Sequence, residues 1–149
     1  MQAQDAFKMH GAVTLILEKA NGEKEITHKD NLIVDVGFDF IADAIGNAGA
    51  RPAAMGWIAI GSDATAAANG NTALIAEITR LAATYAHTAG TKVFSFSATF
   101  NPGTGTGAIT EAGVINAAAA GIMLDRVVFP VVNKGADDTL TAVFTFTMS

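Results

Sequence analysis

The sequence predicts a mainly β fold, an antiparallel β-sandwich (jelly-roll or Ig-like) of about eight strands with one or two short helices. Three observations predict it. Runs of alternating apolar and polar residues recur along the chain. Turn signals built on Gly, Pro or Asn separate them at intervals of roughly 8–12 residues. Helical periodicity is confined to one or two short stretches, and no internal repeat points to a solenoid or propeller.

Met1 to His10 show no clear period and read as an N-terminal arm (1–10), leaving 11–149 as a single β-sandwich domain. From Gly11, Val13, Leu15 and Leu17 alternate with Thr14 and Glu18, and Ile16 interrupts the polar side. Asn21-Gly22 follows, then Lys24, Ile26 and His28 alternate with Glu25, Thr27 and Lys29. Asn-Gly between two such runs is a hairpin signal, because both residues accept positive φ. Asn31 to Val34 is a short strand. The period then changes: Phe38, Ile41, Ala42 and Ile45 share one helical face, with Asp35 as N-cap and Gly46 as stop, so the helix is expected to pack through that Phe and Ile side.

Asn47 to Ala54 is a Gly/Ala loop holding Arg51-Pro52, and Met55 to Ile60 is an apolar strand carrying Trp57, expected in the core. Gly61 to Asn71 is a long loop of small residues, and Thr72 to Arg80 fits either a brief helix or an extended edge. Tyr85 to Phe100 reads as a second hairpin turning at Ala89-Gly90, with Phe94, Phe96, Ala98 and Phe100 on one face. After the loop Asn101 to Gly107 come a strand over Ala108 to Ile115, a tight connection over Ala117 to Gly121, and a strand over Ile122 to Phe129. Pro130 predicts that this last strand lies at an edge or ends there. Finally Leu140, Ala142, Phe144, Phe146 and Met148 alternate with Thr139, Thr141, Thr145 and Thr147, the pattern of a half-buried antiparallel strand.

Composition bears on function. Half of the 149 residues are hydrophobic while only 15% are charged, against about 25% in an average soluble domain. The deficit is filled by Ala, Gly and Thr, which predicts a weakly polar surface suited to contact with other proteins. A net charge of -5, with basic residues scattered from Lys8 to Lys134, argues against nucleic acid as partner. The absence of cysteine removes disulfides and thiolate metal sites. The start, with Gln2, Gln4 and Asp5, lacks signal-peptide character, and the apolar runs are too short for a membrane span. Synthesis in a cytosol and no membrane partner are therefore expected.

Candidate chemistry is sparse. Gly103 to Gly107 (GTGTG) lacks the Lys-Ser/Thr ending of a phosphate loop and sits between strands. His10, His28 and His87 are isolated from one another, which is poor metal-ligand spacing. Asp63, Asn69 and Asn71 offer oxygens but miss the spacing of a calcium loop, and Asp137-Asp138 reads as a turn. Glu111, Asp125 and Arg126 interrupt apolar strands, where a structural salt bridge is favoured over catalysis: Arg126 pairs with Glu111 on a neighbouring strand or with an acid of another subunit. The expectation is a protein that is not an enzyme and uses no cofactor or metal.

The stretches NLIVDVGFDFIADAIG from Asn31, GWIAIGSDATAAANGNTALIAEITR from Gly56, ITEAGVINAA from Ile109, and IMLDRVVFPVVNKGADDTLTAVFTFTMS to the end resemble small virion structural proteins of tailed bacteriophages. The resemblance covers roughly three-quarters of the chain, and what recurs is an order of strand and turn signatures (an "NL…G" turn, a "G-S/T" loop leading to "TAL…E…R", an "EAG" strand, a "DTL" strand). It implies a capsid decoration (cement) protein, a homotrimeric β domain on the capsid surface that clamps the major capsid protein and uses an N-terminal arm. A small tail fibre, tail tip or baseplate component, with a host surface receptor as partner, is the alternative, and a carbohydrate-binding sandwich using Trp57 and Tyr85 is a third. The expected protein-contact residues are Phe7, Lys8 and Met9 in the arm, Arg51, Asp63 and Asn69 in the loops that follow, Asn101, and Arg126.

Overall fold

The computed structural model of the protein describes residues 6–149. The alternation of the first run builds β1 (Met9–Glu18), whose Val13, Leu15 and Leu17 turn inward. Gly22, at φ +87°, reverses the chain into β2 (Lys24–Asp30). The turn is wider than a two-residue Asn-Gly hairpin: it is closed at Lys19, whose N–H donates to the Glu23 carbonyl at 2.8 Å. Then come β3 (Leu32–Ile33), helix α1 (Asp35–Gly46), β4 (Trp57–Gly61), β5 (Glu77–Ala82), β6 (Thr84–His87), β7 (Val93–Phe100), β8 (Gly107–Ile115), β9 (Asp125–Lys134) and β10 (Thr139–Met148).

These strands form two five-stranded antiparallel sheets, in the orders β2-β1-β10-β7-β6 and β3-β9-β8-β4-β5, packed as a β-sandwich. The chain passes between the sheets four times: at the edges through Asn31 (β2 to β3) and Ala83 (β5 to β6), and between interior strands from β7 to β8 and from β9 to β10. The core sits between the sheets. From the first come Leu15, Leu17, Phe96, Phe100, Leu140, Phe144 and Phe146; Ile58, Ile60, Ile109, Val127 and Phe129 face them from the second. Phe144 lies opposite Phe96 and Phe146 opposite Phe94 across β10 and β7, and the Phe94 and Phe146 rings stack with centroids 5.1 Å apart.

Several local expectations change. There are ten strands and one helix among the described residues. Thr72 to Arg80 is loop and then edge strand β5, with Leu74 buried beneath it. Pro130 does not end its strand, because β9 runs on to Lys134. The ladder between β8 and β9 shifts register between Ile109 and Glu111, and β3 pairs only with Asp125 and Arg126, so Pro130 lies exposed where β9 has no neighbour on that side. Of the expected arm, Met9 and His10 already belong to β1, and residues 1–5 lie outside the described residues.

The helix is rotated from its expected setting. Its packed face is Gly37, Phe40, Ile41 and Ala44, whereas Phe38 is 49% and Ile45 76% exposed. Gly37 causes this. It is buried, and a Cβ there would overlap the Leu124 carbonyl oxygen, so only glycine lets the helix backbone come this close to the sheet. Asp35 is the first helical residue and Val34 the N-cap; the Asp35 N–H donates to the Asn69 carbonyl at 2.9 Å.

Candidate interaction surfaces

Rotating the helix onto Phe40 and Ile41 opens a groove beside it. Met9 from β1, Phe40, Ile41 and Ala44 from α1, Arg51, Pro52, Ala54 and Met55 from the loop after it, Tyr85 from β6, Phe94 and Phe96 from β7, and Leu124 line a cavity of about 440 Å³. The walls are almost wholly apolar, with Arg51 the single charged residue among them. Tyr85 packs on Phe96 with centroids 5.4 Å apart yet remains 57% exposed, so an aromatic edge faces solvent at the mouth. A concave apolar wall with one aromatic hydroxyl and one guanidinium suits an apolar side chain of another protein.

The loop after β4 is held by an internal ion pair. Glu111 on β8 and Arg126 on β9 are both fully buried, with Nε 2.8 Å from Oε2. The remaining lone pairs of Glu111 accept the backbone N–H groups of Ala76 at 2.7 Å and Ile75 at 3.1 Å. Arg126 Nη1 donates to the Thr65 carbonyl at 2.9 Å and to Asn71 Oδ1 at 3.2 Å, and Nη2 stands 3.6 Å from Asp63 Oδ1. Hydrogen bonds from Thr65 to Asp63, first from its hydroxyl and then from its N–H, hold that carboxyl below the usual range, and Arg126 adds to the effect. Of the residues that suggested a cation loop, Asp63 and Asn71 therefore turn their oxygens to a guanidinium, while the Asn69 carbonyl accepts from Asp35. Gly61 makes room for the arrangement, since a Cβ there would lie 2.6 Å from the Ala76 carbonyl oxygen.

A second buried cation anchors the other loop. Lys134 closes β9, and its Nζ donates to the Asn101 carbonyl at 3.1 Å; burial pushes its ammonium down and Asp138 partly restores it. Asp138 also accepts the Gly135 N–H at 2.7 Å, which makes Asp137-Asp138 the expected turn. Asp125 is buried beside the first crossing. It accepts the Val114 N–H at 3.0 Å and the Asn31 side-chain amide, and burial pushes its carboxyl up to about 8 against those two hydrogen bonds. Arg80 forms a further link: its guanidinium grips both oxygens of Glu77 at 2.6 and 2.7 Å and donates to the carbonyls of Ala117 and Ala120 at 2.9 Å each.

The expected contact residues do not form one patch. Met9 and Arg51 line the groove, with Phe7 exposed two positions upstream of Met9 and Lys8 paired through its backbone with Ser149. Asn69 is tied to the start of the helix that forms one groove wall, and Asp63 belongs to the loop that Arg126 holds. Arg126 itself is fully buried and reaches any surface only through that loop. Asn101 lies past the far end of β7, eight or so residues along the strands from Met9, or roughly 25 Å away. Trp57 packs against the small cluster of Val34, Ala59, Leu74, Ile115 and Met123, apart from Tyr85 and the groove. Sequence reasoning missed the groove, because its walls come from six separate segments. It also passed over Arg80, although an acid three residues before an arginine on an edge strand was visible. Neither the protein-family models, the curated proteins nor the solved structures include a match to this chain.

Proposed function

We propose that this protein works by assembly, as a bacteriophage virion structural protein that binds the capsid shell as a decoration protein. The observation that carries the assembly reading is the apolar groove between α1 and the Tyr85–Phe94 corner, with Phe7, Phe38 and Ile45 exposed on the surrounding surface. The groove takes an apolar side chain of the shell's subunits, while the loop that Arg126 and Glu111 stiffen presents a contact whose shape is set before binding. A component that binds only the assembled shell stabilises it by mass action, and many copies multiply a modest contact. The capsid in place of another scaffold comes from the sequence resemblance.

The test adds the purified protein to shells stripped of it, followed by electron microscopy and heat challenge. Regular density over the shell and raised thermal tolerance are expected, and Tyr85→Asp should lower occupancy at temperatures well below the variant's own melting. Density confined to the tail, or full occupancy by the Tyr85→Asp variant, rejects the reading.

A further inference from the structure

We propose that β2 is a self-recognition edge: two copies of this chain pair their β2 strands antiparallel about a two-fold axis at Thr27, joining two sheets into one. This goes beyond the capsid reading, since it requires no partner other than a second copy.

The backbone is arranged for it. β2 is the outer strand of its sheet and pairs only with β1 among the described residues. Lys19 N–H donates to Glu23 and Asn31 N–H donates to Gly11, which brackets the ladder. By the alternation of antiparallel bonding, odd-numbered residues between them bond to β1, and Lys24, Ile26, His28 and Asp30 turn their N–H and C=O groups outward. An incoming β2 strand must match these groups, so allowed registers differ by two residues.

The side chains choose among those registers. Centred on Thr27, the pairing sets Lys24 opposite the partner's Asp30, Glu25 opposite the partner's Lys29, and Ile26 opposite the partner's His28. The two-fold repeats each pair, so every charge of the strand meets its opposite. A shift of two residues either way leaves Lys24 and Asp30 without an oppositely charged partner. Ile26, 69% exposed in the single chain, gains a neighbour. The pairs these residues now make, Lys19 with Glu25 at 3.9 Å and His10 with Asp30 at 3.2 Å, are on the surface and exchange at little cost. Charged edge strands also guard against pairing, but lysines of one sign serve that purpose. A strand of two acids and two lysines in self-complementary order does not repel its own copy. One edge of this length buries less than the roughly 1,200 Å² of a stable complex, so the contact is weak in solution and strengthens where copies are concentrated.

Sedimentation of the full chain over a concentration series should show a monomer–dimer equilibrium that weakens with salt. Glu25→Lys and Lys29→Glu should each weaken it by a factor of about ten, because each reversal acts twice per dimer. The double variant Glu25→Lys/Lys29→Glu restores opposite charges and should recover dimerisation. Thr27→Cys places two thiols at the axis in a chain with no other cysteine, so mild oxidation should give a disulfide dimer on a non-reducing gel. A monomer at every concentration, a trimer with no dimer step, or charge variants that associate like the parent overturns the pairing. Shell binding by such a monomer would leave the proposed function standing.

Discussion

Glu111 on β8 and Arg126 on β9 form a fully buried ion pair, and between them they hydrogen-bond five backbone or side-chain groups of the loop from Asp63 to Ala76. The pair is thus less a bond between two strands than a peg on which a loop hangs. Desolvating two charges is costly, and here the cost is offset by satisfying the polar groups of a segment that has no ladder of its own.

Removing one member leaves the other charged and buried. Glu111→Gln should destabilise the protein by about 3–5 kcal/mol, while a double replacement by apolar residues should cost less than the sum of the single changes. Urea unfolding of the four proteins gives the coupling, and amide exchange at Ile75 and Ala76 should quicken in both singles.

Asp125 makes stability fall with pH. Its pKa rises from 3.8 to about 8 on folding, chiefly through burial. The folded state therefore holds a proton that the unfolded chain has released between those values. The contribution is complete below about pH 4 and is lost as pH rises through about 8, at up to about 1.4 kcal/mol per unit. Asp125→Asn, which imitates the neutral carboxyl, should flatten that slope in urea midpoints measured across the window.

Gly37→Ala should destabilise although alanine favours helix. The added Cβ meets the Leu124 carbonyl, and overpacking of this kind costs about 1–3 kcal/mol. Thermal melting should show the loss, whereas Gly46→Ala, where a Cβ meets open space, should leave the midpoint nearly unchanged.

Arg80→Ala should free the connection between β8 and β9. Losing its bonds to the Ala117 and Ala120 carbonyls and to Glu77 should cost about 1–2 kcal/mol and raise exchange across 117–122 selectively.

The clearest strands, such as β1 and β10, were legible because each has one buried face and period-two patterning survives any topology. Val13, Leu15 and Leu17, or Leu140 to Phe146, need only to know that one side is dry. The helix face was not legible. The segment VGFDFIADAIG offers two overlapping apolar stripes that share Ile41, and periodicity cannot rank Phe38 against Phe40. The decision lies in the approach of Gly37 to Leu124, a contact between residues far apart in sequence. Pro130 could be read only in part for a similar reason: it stands where β9 has no neighbour on one side without ending the strand, and that depends on where β3 stops. The Glu111–Arg126 pair could be read from two charges in apolar strands, but the loop it carries could not. Nothing in residues 61–76 announces which carbonyls will meet a guanidinium. The β2 charge order lay open in the sequence throughout, and became meaningful only once that strand proved to be an edge.

The backbones of Lys8 and Ser149 exchange two hydrogen bonds, at 2.7 and 2.9 Å, where the first and last strands run side by side. Tension applied between the two ends would therefore open β1 from β10 like a zipper, one bonded pair at a time, because the strands are not loaded in shear. If the body is held at one end of its chain and its neighbours tug on the other, the seam that yields first is the pair of strands supplying Leu15, Leu17, Phe144 and Phe146 to the core.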